Sequence, residues 1–237
     1  MYPRVVSMSC KINSGSNIVV AGLFGALFLA STAQADIVIP MNSIILETHM
    51  YFSDRAKKAF RASNVTPQPV GTSSGSFEDH IILPASKLAI GPGAKSKGIA
   101  TYAWGDGCGI KLNRQMDDGS AAWVVMANIA IDYKANQVIA DFTIPGVPTA
   151  KKVPLYDFKL DTPLAIKYKF PISITGKEVM YNMYLTEKAK DFQMAGLQYE
   201  DFVRTAVLDK TDFGQGVNVL DFRFRPRPLS TKPYVVN

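Results

Sequence analysis

Two histidines, one internal cysteine and a few carboxylates are the residues with which this sequence could do chemistry. His49 follows Glu47 by two positions, and His80 follows Glu78 and Asp79. Imidazoles with carboxylates can hold a metal ion, but Glu47-Thr-His49 and Glu78-Asp-His80 have no metal-motif spacing. Both histidines are therefore expected as solvent-exposed residues at strand ends. Cys108 stands in Gly107-Cys-Gly109 with no histidine nearby. It reads as a small buried residue at a turn rather than a reactive thiol. The glycines around it would also let backbone approach a ligand closely.

Three glycine-containing stretches resemble catalytic loops and fail on context. Gly71-Thr-Ser-Ser-Gly75 has the outline of a nucleophile elbow. That chemistry needs a strand before the serine, a helix after it, and an acid and a histidine further on. Here a proline-rich stretch precedes, and the only later histidine is His80; the stretch is expected to be a flexible loop. Residues 91–98, Gly-Pro-Gly-Ala-Lys-Ser-Lys-Gly, lack the Gly-Lys-Ser/Thr ending of a phosphate loop and read as a hairpin connection. Asp117-Asp118-Gly119 lacks calcium-loop spacing and reads as a tight turn. An enzyme would have to gather Asp79, His80 and Asp106 in one cleft. No catalytic motif is present, so a non-enzymatic protein is expected.

Arg223, Arg225 and Arg227 alternate with Phe222 and Phe224, which places arginines on one face of an extended segment and rings on the other. Such a stripe suits an anionic cell-envelope component better than nucleic acid, because the chain carries an export pattern. Arg4 and Lys11 precede an apolar run at 18–30, and Ala33-Gln-Ala35 comes before Asp36. That is a secretory signal peptide over residues 1–35, with Met8 as the expected start of translation. The run is shorter than the 18 or so residues of a membrane span. Removal of the signal takes Cys10, leaving Cys108 without a disulfide partner. Residues 36–237 are expected to form a single β-rich domain with an extended basic tail, in the periplasm or outside the cell. The net charge of +6 is mild for 237 residues and names no partner.

The elements that position these residues read mainly as strands. Residues 79–145 contain short apolar runs punctuated by Gly, Asp, Asn and Pro, as in an antiparallel meander. Turns are expected at 117–120 and 133–136. Earlier strand signals lie at 37–39 and 44–46, and Pro84 marks an edge or a bulge. A helix is expected over 54–62, capped by Ser53, with Ala56, Ala59 and Phe60 on one face. Residues 65–76 read as a connection and 145–154 as a loop. Strands are expected at 155–160, 164–174, 179–185 and 217–225. A second helix is expected over 187–194, capped by Thr186 and stopped by Gly196. Residues 198–204 are ambiguous. The fold class is mainly β: an antiparallel sandwich or barrel-like domain with two short helices.

The order of a strand, a helix ending Ala-Phe-Arg-Ala62, Ile-Ile-Leu-Pro84 and Gly-Ile-Ala-Thr-Tyr-Ala-Trp-Gly-Asp-Gly-Cys-Gly-Ile-Lys-Leu112 resembles the HtaA-type β domains of exported bacterial proteins. Asn128-Ile-Ala-Ile-Asp132, Ile139-Ala-Asp-Phe142 and Pro154-Leu-Tyr-Asp-Phe158 extend the likeness, which spans about residues 44–197. The resemblance implies a β domain and, for the namesake group, haem held by a tyrosine with histidine support. Carried to this chain, it implies Tyr51 or Tyr102 as ligand, with His49 and His80 as candidates beside it. The reading from residues alone is a protein that binds a ligand or an envelope partner; a haem carrier and a structural surface protein are the alternatives.

Overall fold

The computed structural model describes residues 36–40, 44–92, 98–161, 164, 167–169, 173–222 and 229–236. Among these, fourteen strands form one antiparallel sheet. They are β1 (Ile37–Pro40), β2 (Ile44–Phe52), β3 (Val65–Gly71), β4 (Ser74–Gly75), β5 (Ile81–Pro84), β6 (Lys87–Pro92) and β7 (Gly98–Trp104). Then come β8 (Cys108–Gln115), β9 (Ala121–Asp132), β10 (Gln137–Thr143), β11 (Ala150–Leu160), β12 (Lys167–Lys169), β13 (Ser173–Leu185) and β14 (Gly214–Phe222). Three short helices accompany them: α1 (Asp54–Ala62), α2 (Glu187–Gly196) and α3 (Asp201–Val203), the last running into a π-helical turn at Arg204–Leu208.

The sheet curls back on itself. Its path runs β1-β6-β7-β9-β10-β11-β13-β14-β2-β5-β4. β5 and β6 stand near opposite ends of that path yet are joined through Ala85 and Ser86. Ala85 N–H donates to Leu46 O at 2.8 Å, and Ser86 N–H donates to Trp104 O at 2.6 Å. One extended segment thus pairs with β2 and then with β7. Pro84 ends the first half of it, opposite Glu47.

The inner face is built in cross-strand rows. Met180, Gly216, Met50 and Ile81 lie side by side on β13, β14, β2 and β5. The next row is Glu178, Asn218, Thr48 and Leu83. A turn of aromatic packing closes one end, with Phe60 of α1 edge-on to Phe52 and Phe77, each at 5.7 Å. Ser53 caps α1 by accepting from Ala56 N–H at 3.0 Å, and Thr186 caps α2 through Ala189 N–H at 3.3 Å. The turns at 117–120 and 133–136 form as expected, with Asp118 accepting from Ser120 N–H and Asp132 from Lys134 N–H.

Four expectations need correction. Residues 65–71 are a strand, not a connection. Pro67 and Pro69 have the same parity, so their missing donors fall together on the side that β8 does not use. Ser74–Gly75 pairs with β5, and Ser73 Oγ accepts from Gly109 N–H at 2.8 Å, so 71–75 is tied to the sheet rather than being a free loop. Pro154 lies inside β11 instead of a loop, opposite Ile139 where the register of β10 and β11 shifts. Gly196 does not stop α2 at Met194. It belongs to the last turn, where an added Cβ would fall 2.6 Å from Ile144 and 3.0 Å from Trp123 O; it is a close-packing glycine. The expected strand at 164–174 is seen as β12 and the start of β13, its other residues lying outside those described except for Leu164, which is outside any strand. The last strand begins at Gly214, and Arg223, Arg225 and Arg227 lie outside the described residues.

The polar inner row is the costliest part of this core. Asn218 is fully buried and Glu178 is 1 % exposed. Thr48 Oγ1 donates to Asn218 Oδ1 at 2.5 Å, while Asn218 Nδ2 donates to Glu178 Oε1 and to Tyr133 Oη. Glu178 Oε2 has no hydrogen-bond partner among the described residues. Burial pushes the Glu178 carboxyl above its ordinary 4.5, against the pull of the hydrogen bonds from Tyr133 and Asn218. The unfolded chain releases this proton near 4.5 and the native state only at higher pH. Stability therefore falls as pH rises through that interval and is lowest above it. Glu178→Gln removes this slope and is more stable than the parent at neutral pH, read by urea denaturation at a series of pH values. Identical profiles for the two proteins would contradict the assignment.

Candidate functional site

Alternation along β2 sends Leu46, Thr48 and Met50 inward and Glu47, His49 and Tyr51 outward. The register sets Ile82 of β5 and Val217 of β14 opposite His49, and Gln215 opposite Tyr51. His80 precedes β5 by one residue, which carries it to the same outer face beside Tyr51. The His80 ring lies 4.9 Å from the His49 ring at 30°, and 4.9 Å from the Tyr51 ring at 32°. His80 thus packs, tilted, against both of the other rings.

Neither histidine is an exposed strand-end residue. His49 is in the middle of β2, and the side chains of His49 and His80 are 23 % and 21 % exposed. The missing information was which strand pairs with β2, because the stack joins residues 31 apart in sequence. Desolvation lowers the His49 pKa first, and the nearby His80 lowers it further, while Glu47 at 3.9 Å opposes them. Asp79 Oδ2 stands 3.0 Å from His80 Nδ1, but out of line, so the buried Nδ1 has no hydrogen-bond partner among the described residues.

The loop that delivers His80 is pinned from both sides. Gly75 adopts φ +92°, and a Cβ there would meet His80 O at 2.2 Å. Ser76 N–H donates to His80 O at 3.0 Å. Phe77 inserts between Phe52 and Phe60. On the outside, Lys57 Nζ donates to Glu78 O at 2.6 Å and Arg61 pairs with the Glu78 carboxylate at 2.5 Å. The charged face of α1 therefore holds the loop, in addition to being wet.

The other sequence candidates lie elsewhere. Tyr102 is opposite Ala89 on β6 and Asp132 on β9, and its ring lies 4.6 Å from that of Trp104, tilted by 49°. From His80 to Ala89 there is roughly 30 Å of extended chain. Burial raises the Tyr102 pKa, and Asp132 and Asp106 raise it further. Asp106 accepts from Ser86 Oγ at 2.8 Å and pairs with Lys87 at 3.0 Å, so it belongs to the Tyr102 end and not to the Asp79–His80 end. Cys108 is 1 % exposed, and burial pushes its thiol up to about 12. No group of three or more metal-ligating His, Cys, Asp or Glu side chains occurs among the described residues. The inner cavity, lined by Met50, Met180, Gly216 and Cys108, has a volume of about 30 Å³, room for about two waters and not for a planar ligand.

Sequence reasoning read Asn128 and Asp141 as parts of strand runs and the C-terminal segment as an extended tail, and gave Asn128 and Asp141 no site role. Asn128 has φ +52° in the middle of β9, where β8 ends its pairing and β7 begins. An asparagine within an apolar strand run was the available signal.

No family model and no curated protein matches this chain. Among solved structures, it is similar to the C-terminal domain of HtaA from Corynebacterium glutamicum, at 10% identity and a TM-score of 0.43, over 75% of this chain and 96% of that one. That is the family type the sequence resembles, and the likeness extends to a mainly β domain and no further. No helix among the described residues is long and apolar enough to cross a membrane.

The anchoring of the His80 loop gives a direct test. Phe77→Ala empties the space between two rings and should lower stability by about 3 kcal/mol. Chemical denaturation measures this, and a loss below about 1 kcal/mol would show that the loop is held from outside alone.

Proposed function

We propose that this chain is an exported, non-enzymatic binding protein whose ligand lies against the outer sheet face at Tyr51, His49 and His80. One observation carries the reading: the register of β2 with β5 gathers a phenol and two imidazoles, all partly shielded, in tilted contact on one face. Half-buried Ile82, Val217 and Val179 continue that face with apolar surface. Rings and apolar side chains beside a few directed polar atoms suit a flat, largely apolar ligand. The export part of the proposal rests on the N-terminal sequence pattern.

Haem is the ligand we assign. Phenolate and imidazole are both haem-iron ligands, and Tyr51, His49 and His80 bring both kinds of donor to one partly shielded face. Tyr51 would supply the phenolate, and His80, packed against it, would hold the ring in place. His49 would form the second wall. Haem would bring to this face an iron able to take an oxygen or nitrogen donor. The lowered pKa of His49 keeps that ring neutral at neutral pH.

A haemin titration of the purified exported protein, followed in the visible range, tests the proposal. The Soret band should shift saturably. Tyr51→Phe should weaken binding at least tenfold, while Tyr102→Phe leaves it unchanged. A flat titration would remove haem as the ligand, and loss of binding in Tyr102→Phe alone would move the site to the other end of the sheet.

A further inference from the structure

A second site stands where β9 forks. β9 pairs with β8 through Ala127 and with β7 from Ala130 onward. In the gap, the Asn128 carboxamide behaves like a piece of strand backbone. Its Oδ1 accepts from Gly107 N–H at 3.0 Å and from Tyr234 N–H at 2.7 Å. Its Nδ2 donates to Asp141 Oδ2 at 2.9 Å and to Tyr234 O at 3.2 Å. Both backbone groups of Tyr234 are therefore read by one side chain, whose orientation Asp141 and Gly107 lock. Asp141 is itself fixed, since its Oδ1 accepts from Lys152 N–H at 2.9 Å.

The floor of this notch is shaped for extended chain. Gly107 has φ +83°, and a Cβ there would lie 2.9 Å from Lys232 O. The Tyr234 ring lies across Gly71, within 3.0 Å of where a Cβ would be. The segment in the notch shares no backbone ladder with any strand among the described residues. Residues 230–233 and 235 are exposed, Val235 at 71 %. The Asn128 carboxamide, with both its oxygen and its nitrogen hydrogen-bonded, thus holds a segment that has no backbone ladder among the described residues.

We propose that the Asn128 notch is a binding site for an extended peptide bearing an aromatic residue, and that the C-terminal segment of a second copy of this chain takes it in exchange for the chain's own. The ligand class follows from the contacts: paired backbone N–H and C=O for the carboxamide, a ring over Gly71, and a carbonyl over Gly107. The cis segment competes through its high effective concentration, so trans binding is masked in the parent protein.

The test uses full-length protein and a fluorescent peptide of residues 229–237, Leu-Ser-Thr-Lys-Pro-Tyr-Val-Val-Asn, read by anisotropy. Tyr234→Gly weakens the cis segment and leaves the notch intact; it should bind the peptide at least tenfold tighter than the parent. Asn128→Ala combined with Tyr234→Gly should abolish binding, with circular dichroism reporting that the fold persists. The peptide carrying glycine in place of its tyrosine keeps the test decisive if that double variant does not fold, because it should not bind the Tyr234→Gly chain. No binding of the native peptide to the Tyr234→Gly chain would overturn the proposal, as would equal binding of the glycine-bearing peptide.

Discussion

A single extended segment, residues 81–92, holds this fold together. It pairs with β2 in its first half and with β7 and β1 in its second. The change of partner takes two residues, Ala85 and Ser86, whose N–H groups go to Leu46 and Trp104 on opposite ends of the sheet path. A long sheet with right-handed twist either curls or splits, and here that segment makes the curl permanent. Its register with β2 also decides what lies on the outer face. A slip of one residue would send His49 and Tyr51 into the core and Thr48 and Met50 to solvent. The candidate site and the closure of the fold are therefore set by the same pairing.

The inner face resists such a slip because its polar row has one satisfactory alignment. Thr48, Asn218 and Glu178 must be neighbours for their hydrogen bonds to form. Any other register leaves the half-buried Thr48 and the buried Asn218 and Glu178 unpaired, the two buried ones at a cost of about 1–3 kcal/mol each. The carboxyl that this arrangement buries is held toward its protonated form, so the row costs stability at neutral pH while it specifies alignment. Register specificity and the outer ring cluster are linked through alternate residues of β2.

Much of the strand content was legible where apolar alternation is regular, as in 121–132 and 137–143, and where a cap announces a helix, as at Ser53 and Thr186. The errors share a cause. Pro67, Pro69 and Pro154 were read as breakers, yet a proline breaks a strand only where a partner needs its N–H, and the partner is not visible from local sequence. The glycine-rich stretch 71–75 misled for the same reason, since β5 and Gly109 hold it in place. His49, Tyr51 and His80 were legible as residue types with plausible chemistry. Their meeting was not, because it depends on pairing across the intervening helix, β3 and β4. Asn128 shows the limit from the other side, since its partner Tyr234 is 106 residues away.

The ligand face we propose is the ring cluster of His49 and Tyr51 on β2 with His80 just before β5, and not the Tyr102–Trp104 end of the sheet. Side-chain ring NMR signals of the purified protein during addition of ferric haemin test it most directly, because the paramagnetic iron broadens nearby rings first. The expected result is early loss of the Tyr51, His49 and His80 signals with Tyr102 and Trp104 retained. Early loss of Tyr102 and Trp104, with both histidine signals intact, would contradict it.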